Sequence, residues 1–152
     1  MRRRELLMLS LASILTGTCG LGRETQAAEP MTLYKDPNCG CCAGHADYLT
    51  AHGFTVTIVE TADLDAVRRQ HRVPEALAGC HTILAGGYVI EGHVPIGPIR
   101  RLLTERPEII GISLIGMPSG SPGMEGEKAG PFTIYQIDAT SGTGEPRVFA
   151  VD

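Results

Sequence analysis

Cys39, Cys41 and Cys42 crowd three thiols into positions 39–42. Packing does not call for such crowding; thiols this close can pair, pass electrons, or hold a soft metal ion. Cys39 and Cys42 stand at C-x-x-C spacing, behind a strand-like run and at the head of a helical pattern. At a helix N-terminus the free amides and the macrodipole favour thiolate over thiol. Thiolate is both the nucleophile of disulfide exchange and the ligand form for metals, so this location serves either chemistry. Cys41 tips the balance. Exchange needs two sulfurs and a third beside them would scramble it, whereas Cu(I) profits from several converging thiolates. A Cys39–Cys42 disulfide with Cys41 idle is the plain structural alternative.

Further donors lie elsewhere in the chain. Cys80 and His81 open a strand-like segment, and in a thioredoxin-like topology the loop entering that strand lies beside the C-x-x-C helix. Cys80 is then a fourth sulfur and His81 a borderline imidazole donor; a disulfide from Cys80 to the cluster needs the same proximity. His45 follows Cys41 and Cys42 by four and three residues, so a helix puts it on their face. His93 follows a hairpin and approaches the same end. Met117 and Met124 sit in a Gly/Pro/Ser loop without helical or strand period, where a thioether can ligate copper or plug a groove. His52 and His71 close helices, as the dipole favours, and are left out of the site. No phosphate loop, dinucleotide fingerprint, nucleophile elbow or convincing carboxylate pair is present. Zinc suits Cys and His, yet structural zinc sites seldom use adjacent cysteines with methionine, so zinc ranks behind copper.

The elements that must position these groups are legible from periodicity. Residues 31–35 and 54–59 read as strands, 41–52 as a helix closed by Gly53, and 61–71 as a helix capped by Thr61. Residues 82–85 and 88–91 form a hairpin about Gly86 and Gly87, followed by a helix over 95–105 with Ile96, Ile99, Leu102 and Leu103 on one stripe. This is the β-α-β-α-β-β-α order of an α/β, thioredoxin-like domain. A C-terminal extension follows: apolar 109–115, the Met loop over 116–126, and short strands at 132–137 and 148–151. These pieces extend the sheet or wrap over the cysteine end.

At the front, Arg2, Arg3 and Arg4 precede an apolar run over 6–15 and small residues at 27–28, the pattern of an export signal over 1–27. The run is far short of the roughly 20 residues of a membrane span, so no stable span is expected after cleavage. Arg3 and Arg4 loosely fit a twin-arginine signal, leaving the general secretory and twin-arginine routes both open. Cys19 as a lipid-attachment site is a minority reading. Residues 28–152 carry nine Lys or Arg against fifteen Asp or Glu, a formal charge of −6, which argues against nucleic acid and favours cationic partners. A hydrophobic content of 43% suffices for one ordinary core.

Taken together, Tyr34, Lys35, Pro37, Cys39, Gly40, Cys41 and Cys42, then Cys80, His81 and Thr82, then 87–95 through Glu91, Gly92 and His93, then 116–125 from Gly116 and Met117 to Met124 and Glu125, resemble the CopG-type copper-resistance proteins. This periplasmic family, long labelled a domain of unknown function, is unrelated to the DNA-binding repressor of the same name. The resemblance covers nearly all of 28–152. It implies a thioredoxin-like fold that binds copper, in a multinuclear cluster bridged by cysteine sulfur, and a role in copper tolerance that includes interconversion of Cu(I) and Cu(II). Carried onto this chain it implies Cys39, Cys41, Cys42 and Cys80 as cluster ligands, with Met124 and a histidine as outer members. The expectation is therefore a periplasmic protein that takes copper ions and meets other periplasmic copper-handling proteins. The rival is a thiol–disulfide oxidoreductase with Cys39 as nucleophile and Cys42 as resolver.

Overall fold

The computed structural model describes residues 29–152; the export-signal reading of 1–27 and the lipid-attachment reading of Cys19 lie outside the described residues. The elements are β1 (Pro30–Lys35), α1 (Gly40–Ala51), β2 (Thr55–Glu60), α2 (Leu64–Gln70), a 3₁₀ turn at Glu75–Leu77, β3 (His81–Ala85), β4 (Tyr88–Glu91), α3 (Ile96–Glu105), β5 (Gly111–Ser113), β6 (Thr133–Ile137) and β7 (Val148–Val151). The expected order of strands and helices holds through α3, and the chain is a mixed α/β domain. One start differs. The backbone N–H of Thr61 donates to Lys35 O at 2.9 Å, prolonging the sheet, so the second helix begins later. Its cap is Asp63, whose side chain accepts from the N–H of Ala66 at 2.8 Å.

Among the described residues, seven strands join one sheet in the order β2-β1-β3-β4-β5-β6-β7. The β1–β2 and β4–β5 pairs are parallel; β1–β3, β3–β4, β5–β6 and β6–β7 are antiparallel. The first four strands are compatible with a thioredoxin-like arrangement. Gly86 and Gly87 both adopt positive φ (55° and 87°), as a two-residue hairpin of the I′ type requires. The C-terminal extension does both things expected of it: β5, β6 and β7 lengthen the sheet, and the loop between β5 and β6 reaches back over α1.

Register decides where the site lies. Lys35 pairs with His81, Thr82 with Glu91, and Glu91 with Ser113. The C-terminal ends of β1, β4 and β5 therefore meet the start of β3 at one end of the sheet. The segments bearing Cys39–Cys42, Cys80, His93 and the Met loop all leave from that end.

Alternation along the strands divides the core. One face carries Met31, Leu33, Ile83, Ile90, Ile112 and Ile134 against Cys42, Ala46 and Leu49 of α1 and Ile99 and Leu102 of α3. The other carries Val89 and Ile137 against Val73 and Leu77. Each fully buried aliphatic side chain here stabilises the fold by about 1.5–3 kcal/mol relative to exposure. The stripe on α3 is as read from the sequence, with Ile99 and Leu102 buried and Ile96 and Leu103 partly so.

Candidate metal centre

Helix α1 starts directly after Cys39, so its first turn holds the cysteines. Cys39 and Cys42 are joined by a disulfide, while Cys41 and Cys80 are free thiols. The Cys41 Sγ lies 3.6 Å from the Cys39 Sγ, and the Cys80 Sγ lies 3.7 Å from the Cys42 Sγ. All four sulfurs fall within 4.8 Å of one another. The disulfide alternative weighed from the sequence is thus present for Cys39 and Cys42, but Cys41 is not set apart from the pair. Cys80 meets the trio without bonding to it.

The far side of Cys80 is lined by imidazoles. Its Sγ stands 3.0 Å from His93 Nε2 and 3.2 Å from His81 Nδ1. The other nitrogen of each ring is engaged: His93 Nδ1 lies 2.7 Å from Pro122 O, and His81 Nε2 lies 2.7 Å from His45 Nδ1. His45 Nε2 lies 3.0 Å from Val94 O. A carbonyl can only accept, so His45 Nε2 and His93 Nδ1 carry hydrogens. Burial, and next the proximity of His93, lowers His45 to about 3, so its ring is neutral and its Nδ1 must accept from His81 Nε2. Burial also lowers His81 and His93, keeping both rings neutral. Two imidazole lone pairs, His81 Nδ1 and His93 Nε2, consequently converge on one sulfur that has a single hydrogen to offer. Burial, followed by neighbouring Cys41, pushes that thiol up to about 12.

Close backbone contacts bring these groups together. A Cβ on Gly79 would fall 2.4 Å from Gly92 N and 2.5 Å from Gly92 Cα, so the residues just before Cys80 and His93 touch main chain to main chain. A Cβ on Gly123 would fall 2.3 Å from His45 N, which seats the Met loop on the first turns of α1 beside Gly44. Beneath Cys80 lies a buried ion pair. Glu91, fully buried, accepts from the N–H of Gly79 at 2.9 Å, from Arg68 Nε at 3.3 Å and from the Thr82 hydroxyl. Arg68 also donates to Gly79 O. Sequence reasoning gave no role to Gly79 or Arg68, and met Glu91, Gly92 and Gly123 only as motif positions without seeing what they contact. The available signals were the glycine before each of Cys80 and His93, and a lone acid ending an apolar hairpin strand.

The two methionines are placed differently. Met117 is 55% exposed, whereas Met124 is half-buried, next in chain to the Gly123 that contacts His45. His52 ends α1 with its Nδ1 2.7 Å from Tyr48 O, and His71 caps α2, the helix-end roles expected for both.

A family model described as a protein of unknown function, DUF411, matches residues 77–124. No curated protein matches the chain. Two solved structures named copper resistance protein CopG are similar to it. Form 2 is 36% identical, with 82% of this chain and 98% of that chain covered and a TM-score of 0.73. Form 1 is 36% identical, with 81% and 96% covered and a TM-score of 0.72. This chain belongs to the CopG copper resistance protein family.

Seen as a CopG-family site, the geometry offers two overlapping donor sets. One is all sulfur: Cys39, Cys41, Cys42 and Cys80. The other is mixed: Cys80, His81 and His93. Thiolates select soft cations such as Cu(I), and imidazole accommodates borderline ions as well. The stretch matched by the family model contains Cys80, His81, His93, Met117 and Met124 and begins after the three clustered cysteines.

Proposed function

We propose that this CopG-family chain is an exported, periplasmic copper-binding protein of thioredoxin-like fold that serves copper resistance. Cu(I) is held by the thiolates of Cys39, Cys41, Cys42 and Cys80 once the Cys39–Cys42 disulfide is reduced, in a cluster with bridging sulfur. His81 and His93 complete the donor set, His45 braces His81 from behind, and Met124 caps the site under its loop, with Met117 at the exposed rim. The observation that carries this reading is the convergence of four sulfurs from two distant segments within 4.8 Å. Mixed thiolate and imidazole surroundings suit both oxidation states of copper, which supports a role in interconverting Cu(I) and Cu(II). The basic and apolar pattern of 1–27 supports export, and the acidic charge of 28–152 supports a cationic cargo delivered to or taken from other periplasmic copper-handling proteins.

Anaerobic Cu(I) titration of the reduced chain, with bound copper counted by elemental analysis, tests the reading. More than one copper per chain supports a cluster, and no uptake overturns the proposal.

A second reading is favoured by the Cys39–Cys42 disulfide at the head of α1: a thiol–disulfide oxidoreductase. It requires metal-free turnover of a disulfide substrate that Cys41→Ser leaves unchanged. Under the copper reading, the same substitution lowers the copper count or affinity.

A further inference from the structure

The disulfide removes Cys39 and Cys42 from the pool of thiolates but leaves the imidazole side of Cys80 intact. We infer that Cys80, His81 and His93 form a self-sufficient site for one borderline divalent cation, one thiolate with two imidazoles, available while the Cys39–Cys42 disulfide is closed. The inference rests on the metal-binding reading above and adds a second ion class and a second redox condition for the same pocket.

Four observations carry it. The three donor atoms lie within 4.8 Å of one another, and His81 and His93 are fully buried. Both lone pairs turned toward Cys80 follow from the hydrogen-bond chain that ends on Val94 O and Pro122 O. Each ligand ring gives its remaining N–H to a fixed acceptor, His81 to His45 Nδ1 and His93 to Pro122 O, which is the outer-shell support metal-binding histidines use. Finally, the spacing is close to that of a filled site. Bond lengths of about 2.3 Å to sulfur and 2.0 Å to nitrogen in a tetrahedron set an S···N edge of about 3.5 Å. The observed 3.0 and 3.2 Å edges need to open by only a few tenths of an ångström. Binding sends the Cys80 thiol hydrogen to solvent as a proton, forms one metal–sulfur and two metal–nitrogen bonds, and changes no oxidation state.

Co(II) alone is the probe, because its thiolate charge-transfer and tetrahedral ligand-field bands report ligand type. Unalkylated chain is titrated aerobically once peptide mass analysis of a separate aliquot shows alkylation at Cys41 and Cys80 but not at Cys39 or Cys42. One equivalent of Co(II) with a thiolate band is expected, displaced by Zn(II). Cys80→Ser should abolish the band, His81→Gln and His93→Gln should each weaken Co(II) binding at least tenfold, and Cys41→Ser should retain the thiolate band. The Cys39→Ser/Cys42→Ser double variant keeps the Cys80 pocket without the disulfide and should still give the band, so misfolding of Cys80→Ser does not decide the matter. Absence of Co(II) uptake by the disulfide form overturns the inference, as does loss of the band in Cys41→Ser or indifference to both histidine variants. Cu(I) uptake by the reduced chain is scored separately, so this site can fail while the copper reading stands, and the reverse.

Discussion

Gly79→Ala tests whether a main-chain contact sets the geometry of the centre. The new Cβ would sit 2.4 Å from Gly92 N, where ordinary contact begins near 3.4 Å, so the two backbones must part by about 1 Å. No rotamer relieves this, since the obstacle is backbone. Cys80 and His93 follow the two glycines directly, so their 3.0 Å approach opens by a similar amount. The Gly79 N–H to Glu91 bond is also stretched. Overpacking of this kind costs about 1–3 kcal/mol, which in a domain of this size lowers Tm by roughly 4 °C per kcal/mol. Donor sets tolerate about 0.5 Å of misplacement, so metal affinity should fall by about 10- to 100-fold, the range seen when outer-shell support is lost. Thermal unfolding of the apo chain and competition titration with a Cu(I) chelator measure the two effects independently. A variant that melts and binds like the parent would refute the claim that the Gly79–Gly92 contact positions Cys80.

The buried pair behaves asymmetrically. Glu91→Ala leaves the Gly79 N–H without its acceptor, while Arg68 keeps Asp65 at 2.9 Å, and should cost about 1–3 kcal/mol by chemical denaturation, whereas Glu91→Gln, which still accepts from Gly79, should cost clearly less. Gly123→Ala combines a positive φ of 80° with a Cβ 2.3 Å from His45 N, so it should lift the Met loop and speed alkylation of Cys80 at little change in secondary structure by circular dichroism. Hydrogen bonds from Arg147, and then from Thr140, hold the Asp138 carboxyl well below the usual carboxylate range. A carboxylate depressed in the folded state contributes stability above its unfolded pKa of about 3.9 and loses it as pH falls through the folded value. Asp138→Asn should therefore flatten the decline of Tm below about pH 4; an unchanged acid limb would contradict this.

Much of the fold was open to inspection in the chain itself. The alternating run of β1, the β-branched run of β2, the hairpin signal of Gly86 and Gly87 between β3 and β4, and the apolar stripe of α3 depend on local pattern, and all appear where expected. The late start of α2 was hidden because Thr61 and Asp63 are both good caps, and only the sheet contact of Thr61 with Lys35 chooses between them. Cys80 was placed beside the trio by topology, and the structure brings it there. The roles of Gly79, Gly92 and Gly123 were not readable, because a glycine needed for close approach looks the same in sequence as one needed for a turn. The pairing of Arg68 with buried Glu91 was likewise invisible, since their partnership spans α2 and β4.

His45 hands the chain of imidazoles on to Val94 O, immediately before the Pro95 that opens α3, and the neighbouring Tyr48 hydroxyl accepts from Ile96 N at 3.1 Å. The Cys/His cluster is in this way bolted to the helix whose Ile99 and Leu102 pack into the core. Cells selected for survival in copper would discard His45 variants as readily as ligand variants, though for a different reason: the barrel of the lock, rather than its keyhole, would be loose.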